Sequence, residues 1–322
     1  QVSFDATDNR ITLTPDETLD MLTNHTATVT TGVTDLTGEP VLDSVYSWSF
    51  QTADGAWQSS LDIDDSSGLS SGAPSLAVNH EGRALVAWHQ RSAGETDYSV
   101  YRSLYKPSQG QWTQATLLEE DSGNAQSTSA AINNNGDAVV TWNQHDGTEY
   151  QIRVNYYSAA SDSWSGAQTL DAGFGAPAVA IDANGRAMVT WKQSGLQSIV
   201  YEPDTGWGSV KEIDATTNMG SPGIAVDGQG EFSVVWSLNT SGVDDIYASR
   251  WIEGSGWQSP VNIESDDAGD ASSPRLSVAA DGGLIAVWHQ NDGSMNNAWA
   301  NHRIGRACLQ LSAEALSAPR VG

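Results

Sequence analysis

The apolar positions of this chain fall in short runs set off by glycine-marked turns, and one such pattern is written five times. It stands at Ala73–Gln90 ("APSLAVNHEGRALVAWHQ") and returns at Ser127–Gln144, Ala176–Gln193, Ser221–Leu238 and Ser273–Gln290. Each copy predicts a β-hairpin. A first apolar run reaches a four-residue loop ending in Gly82, Gly136, Gly185, Gly230 or Gly282, which suits a turn closed by a left-handed residue. The second run climbs to Trp88, Trp142, Trp191, Trp236 or Trp288, spaced 54, 49, 45 and 52 residues apart. A second tryptophan series, Trp57, Trp112, Trp164, Trp207 and Trp257, opens a further strand that ends in an aliphatic residue and then acid. Aromatic-rich segments lie between the two series. The unit is therefore four strands, a to d, and repeats of this length built from short strands predict the blades of a β-propeller. The first strand d, at Trp57, precedes every strand a, whereas the last unit lacks its own. Joining the two closes a ring of five blades over residues 54–303 and leaves no open sheet edge. The expected fold is all-β, a five-bladed β-propeller with a partial Ig-like β segment in front of it.

Charge narrows the function. The chain of 322 residues carries a formal charge of −26, with three lysines only, so nucleic acid and anionic membranes would be repelled. No apolar run is long enough to span a bilayer. One cysteine, Cys308, excludes an internal disulfide. The chain opens on Gln1, which points to processing or cutting of the amino end. Residues 304–322 have no tryptophan, no repeat register and no acidic bias, and are expected to be a non-repeat tail, vector-derived in one reading.

Residues 1–53 follow another pattern. Thr26, Thr28 and Thr30 alternate with Ala27 and Val29, a turn is marked by Thr37-Gly38, and a closing strand ends at Phe50. The run "LTPDETL…TATVTTGVTDLTGEPV…YSWSFQT" resembles the second half of a bacterial SbsA-type Ig-like domain, with His25 where that family usually has tyrosine. The resemblance implies a secreted or cell-surface bacterial protein. Half a sandwich cannot complete a two-sheet core, so self-association through this segment is one expectation.

Strand direction places the candidate chemistry. The b–c and d–a loops meet at one rim and hold half of the chain's 40 acidic residues, a setting that attracts cations. The residue after each strand b tryptophan varies: His89, Asn143, Lys192, Ser237, His289. The next is glutamine in four copies, Gln90, Gln144, Gln193 and Gln290, and Leu238 in the other. The glutamines and Asn143 are candidate ligand-binding residues for a small molecule or saccharide. His89, His145 and His289, with Asp64 and Asp65, are candidate ligands for a divalent metal, zinc or calcium. Lys192, Arg275 and Asp146 are the candidate catalytic groups. Arg275 breaks a column of small residues in strand a and has the chemistry to hold an anionic ligand. No metalloprotease helix motif, phosphate-binding loop or complete dinucleotide fingerprint is present. Two functions remain: a hydrolase of ester, phosphoester or glycosidic bonds, metal-assisted or acid–base, and a carbohydrate-binding or adhesion module with one site per blade.

Overall fold

The computed structural model describes residues 2–5, 10–13, 15, 19–20, 22–34, 42–52, 59–64, 68–119, 122–240, 242–265, 269–279 and 282–303. The strand at Trp57, the turn at Thr37-Gly38, Asp65 and the tail lie outside the described residues. Two compact units are distinguished, residues 1–61 and 62–322. Among the described residues there is no helix.

In the first unit Val2–Asp5 pairs with Arg10–Leu13, and Asn24–Val29 pairs with Tyr46–Gln51, both antiparallel. The alternation read from the sequence holds: His25, Ala27 and Val29 are half-buried while Thr26 and Thr28 face out. Those threonines bond across the pair to Ser49 and Ser47 at 2.9 and 3.0 Å.

The second unit is a run of antiparallel sheets, one per repeat, packed face to face in chain order as β-propeller blades. In sheet 1, strand a is Gly68–Ser71 with Ser75–Val78, b is Ala84–Ser92, c is Ser99–Lys106, and d is Gln111–Trp112 with Thr116–Leu117. Sheet 2 comprises Asn124–Ile132, Ala138–His145, Tyr150–Ser158, and Ser163–Trp164 with Gln168–Ala172. Sheet 3 comprises Phe174–Ile181, Ala187–Lys192, Leu196–Glu202, and Gly206–Trp207 with Lys211–Asp214. Sheet 4 comprises Gly223–Val226, Phe232–Asn239, Asp244–Ile252, and Gly256–Trp257 with Val261–Asn262. Sheet 5 shows a, b and c among the described residues: Ala271–Val278, Leu284–Asn291 and Asn296–Arg303.

In sheets 1 to 4 strand b is the buried heart because both of its faces are covered, whereas strand b of sheet 5 buries one face and exposes the other. Leu85 and Ala87 of sheet 1 pack against Val140 and Trp142 of sheet 2, and the same contact recurs down the run. The five turn glycines have φ between 75° and 90°, the left-handed values their place demanded. The turns are also tied to one another. Asn79 Nδ2 donates to the Asn133 carbonyl at 3.1 Å, and Asn133 Nδ2 to the Asp182 carbonyl at 3.0 Å. This ladder fixes the a–b ends of the sheets and leaves the opposite rim to the longer loops.

Candidate site at the loop rim

The glutamine column lies on strand b two residues after the tryptophan, so both side chains share a face. Trp88, Trp142 and Trp288 each donate their indole N–H to Gln90, Gln144 and Gln290 at 2.8, 2.8 and 2.9 Å. All three glutamines are buried, and Gln290 also donates to Glu264 at 3.2 Å. They are engaged in the core between sheets rather than open to a ligand. Gln193 is exposed, and the buried indole nitrogens of Trp191 and Trp236 have no partner among the described residues. In sheet 4 the glutamine's place is taken by Leu238, which has no oxygen to offer.

Two members of the variable column before it tie their sheet to the next. Asn143 Nδ2 donates to the Gly173 carbonyl at 3.0 Å, and Lys192 Nζ to the Met219 carbonyl at 2.6 Å, each at the start of the following strand a.

The three histidines stand on separate sheets. His89 lies against Gly72 and sets its edge on Tyr98, with centroids 5.4 Å apart, and burial holds its pKa below the usual histidine range. His289 is exposed. His145 accepts from the Gly147 amide at 3.1 Å through Nδ1. Among the described residues no three of histidine, cysteine, aspartate and glutamate come close enough to hold one ion, so the predicted zinc or calcium set is not assembled from His89, His145, His289 and Asp64. Asp64 instead accepts from Ser71 at 3.4 Å.

Arg275 is not at the rim. Its register partner is Val287, in mid-strand, and its guanidinium donates to its neighbour Pro274's carbonyl at 3.0 Å. The small residues of its column, Ser75, Ser129, Ala178 and Gly223, occupy the same register, opposite the residue before each strand b tryptophan. Asp146 is at the rim, with its carboxylate turned onto its own loop. It accepts from the Thr148 and Glu149 amides at 2.8 and 2.9 Å and from Gln151 Nε2 at 2.7 Å. Those bonds hold its pKa below the ordinary aspartate value. Asp292 makes the same turn in sheet 5, accepting from Ser294, Met295 and Asn297, and is held well below the ordinary value.

Four candidates stand at the strand b ends of sheets 2 and 3, without bonding to one another. Asn143 and His145 lie at the end of strand b of sheet 2, Asp146 follows it in the b–c loop, and Lys192 ends strand b of sheet 3. Between them stands Phe174, opposite Lys192 in register and 59 % exposed. Its ring meets Tyr150 edge-on at 5.5 Å, and Tyr150 in turn meets His145 at 4.7 Å. This aromatic platform, beside the b–c loop that carries Asp146 and Glu149, is the site the structure adds. Phe174 opens strand a just before a register shift, so it carries no repeat signature. The strand c aromatics, by contrast, are packing: Tyr101 stacks on Trp88, Tyr157 tilts against Trp164, and Trp251 sets its edge on Trp257.

Comparison with known proteins accords with this architecture. Residues 1–52 match the bacterial Ig-like domain family. No curated protein matches the chain in sequence. Among solved structures it resembles a Hadza microbial sialidase at 11 % identity and a TM-score of 0.50, covering 74 % of this chain and 57 % of that one. This chain thus spans less than two thirds of that sialidase. It also resembles the intramolecular trans-sialidase from Ruminococcus gnavus in complex with oseltamivir carboxylate, at 11 % identity and a TM-score of 0.52, over 74 % and 81 % of the two chains. A Dyadobacter fermentans protein of unknown function gives 10 % identity and 0.51, over 76 % and 85 %. Likeness at such identity is likeness of fold, and the fold is the β-propeller.

Proposed function

We propose that the rim between sheets 2 and 3 is a saccharide site and that the propeller cleaves a glycosidic bond there. One observation carries this reading: Phe174, a large apolar ring exposed at the start of strand a, meets Tyr150, which in turn meets His145. Aromatic faces take the apolar face of a sugar ring, while nearby polar groups take its hydroxyls. The resemblance to sialidases supports a glycoside hydrolase on this fold. The R. gnavus enzyme is seen with a carboxylate ligand. A chain of −26 charge with acids at its mouth disfavours such an anion, so the sugar read here is neutral. Asp146, held ionised by its turn, suits a base or charge stabiliser and not the proton donor. No metal is assigned a step. The bacterial Ig-like segment suits a secreted or cell-surface setting.

Saccharide binding without hydrolysis is the second reading. It is favoured by the engagement of both Asp146 oxygens within their own loop. A panel of chromogenic glycosides, run beside a glycan array, separates the two. Turnover of any neutral glycoside that falls at least tenfold in Phe174→Ala, about 1.4 kcal/mol, supports the hydrolase. Array binding without turnover supports the module, and neither signal refutes the site.

A further inference from the structure

The corner between sheets 2 and 3 that carries Phe174 has a counterpart one sheet back. The Tyr150 carbonyl accepts from the Gly173 amide, and the Tyr98 carbonyl accepts in the same way from the Ala125 amide. Tyr98 therefore holds on sheet 1 the place that Tyr150 holds on sheet 2. Arg91, three residues after Trp88, holds the place of His145, three after Trp142. Gln126, the residue after Ala125, holds the place of Phe174 and like it is exposed. The contacts repeat too. The Arg91 guanidinium lies 5.7 Å from the Tyr98 ring centroid, where His145 meets Tyr150 at 4.7 Å, and His89 sets its edge on the same Tyr98 ring. Sheet 2 reaches this corner through Asn124, whose side-chain oxygen accepts from the Tyr98 amide at 3.1 Å.

Two features set this corner apart from scaffold. Arg186, Arg250 and Arg303 each stand beside a carboxylate. Arg91, half-buried in a chain of −26 charge, has no carboxylate partner among the described residues. Its Nε and the Nδ1 of His89 are also buried without a hydrogen-bond partner among the described residues. A fold satisfies nearly all of its buried polar groups, so two unpaired nitrogens beside one tyrosine leave the corner incomplete.

Granted the saccharide reading of the Phe174 rim, on which this rests, we infer that the corner is a second sugar subsite beside the first, and that the saccharide bound is an oligosaccharide rather than a single glycosyl unit. The two corners share one wall. Asn124 pairs with His145 and Gln126 with Asn143 across strands a and b of sheet 2, and paired strands lie about 4.8 Å apart. The strands a that carry Gln126 and Phe174 are themselves neighbours. A sugar linked to one seated at Phe174 is thus within reach of Gln126. There Gln126 and the Arg91 guanidinium bond its hydroxyls, and drawing Arg91 toward them gives its Nε an acceptor.

The probes are 4-nitrophenyl glycosides of one, two and three sugar units in the gluco, galacto, manno and xylo series, with the unlabelled oligosaccharides for calorimetric titration. In the series that responds, kcat/KM, or affinity where there is no turnover, should rise about tenfold or more from one unit to three. Arg91→Ala combined with Gln126→Ala should bring that ratio down to near unity, whereas Phe174→Ala should weaken every length. Wild-type NMR gives a readout that does not depend on those variants folding. The trisaccharide should shift the amide signals of Tyr98 and Asn124, and the single sugar should not. A length ratio near unity in wild type, a ratio unchanged in the double variant, or unmoved signals at Tyr98 and Asn124 overturns the second subsite. Any of these together with a loss in Phe174→Ala leaves the first site standing. Silence at every length refutes both.

Discussion

A buried indole N–H must find an acceptor, and a glutamine two residues along the same strand supplies one without help from any other part of the fold. Gln144→Leu removes the acceptor and keeps the bulk, leaving Trp142 Nε1 in the same condition as that of Trp191 and Trp236. The expected loss is about 1–3 kcal/mol, the cost of a buried unsatisfied donor, read from urea unfolding. This pair was legible in principle, since the W-x-Q spacing repeats in four copies. Its conservation among the repeats is that of scaffold, and only the geometry separates that from a binding column. The aspartates of the b–c loops give a second test. Asp292 accepts four hydrogen bonds, and its carboxylate should titrate well below the ordinary 3.8. Because the folded value is depressed, the turn's contribution is whole above the unfolded aspartate's pKa and is lost as pH falls through the folded one. Carboxyl NMR titration should show a midpoint well under 3.8, and a midpoint at or above it would sink the assignment. Phe174 could not be read from the sequence, because what makes it a site is its contact with Tyr150 from the neighbouring sheet.

Strands and turns were the most legible level, because glycine and tryptophan mark each repeat at fixed offsets. The bulges in strand a were not. Register shifts fall at Gln126/Ser129, Phe174/Ala178 and Ser272/Arg275, and Ser127 and Ser273 take positive φ there without any glycine to announce it. A bulge is set by the need of one strand to follow the twist of its partner, which one strand's own pattern does not encode. Arg275 itself keeps the register of its column, in mid-strand, and the shift displaces only the residues before it. Where a glycine does mark the start of strand a, its role is steric. Gly123 has φ +106°, and a Cβ there would run into the His145 carbonyl oxygen and crowd Asp146. Gly110 has φ +64° with open space around it. Gly110→Ala should therefore cost about 1–2 kcal/mol, the left-handed strain alone. Gly123→Ala should cost more and should shift the backbone signals of His145 and Asp146 by NMR. Equal costs would show that the strand start can yield without moving the candidate site.

Across the whole run of sheets, each face that looks toward the next sheet is buried by it, until the last. Leu85, Ala87, Val139 and Val235 are at most 1 % exposed, whereas Ile285 and Val287, at the matching places on sheet 5, are 46 % and 44 % exposed. At the other end of the run, Leu76 and Val78 of sheet 1 are 61 % and 57 % exposed. The repeat makes these two faces complementary in kind, since everywhere else a face like the first is covered by a face like the second. Two such faces on one chain favour head-to-tail contact between copies, a heterologous arrangement that builds closed rings or open filaments. Charge works against it, because chains of −26 repel at low ionic strength, so association should grow with added salt as that repulsion is screened. Light scattering after size exclusion should show mass rising with concentration in high salt. Ile285→Lys with Val287→Thr should hold the protein monomeric there, with unfolding free energy changed by no more than about 0.5 kcal/mol, as for other exposed positions. A large loss of stability in that double variant would mean instead that the two residues are already covered within the single chain, and that the propeller closes on itself.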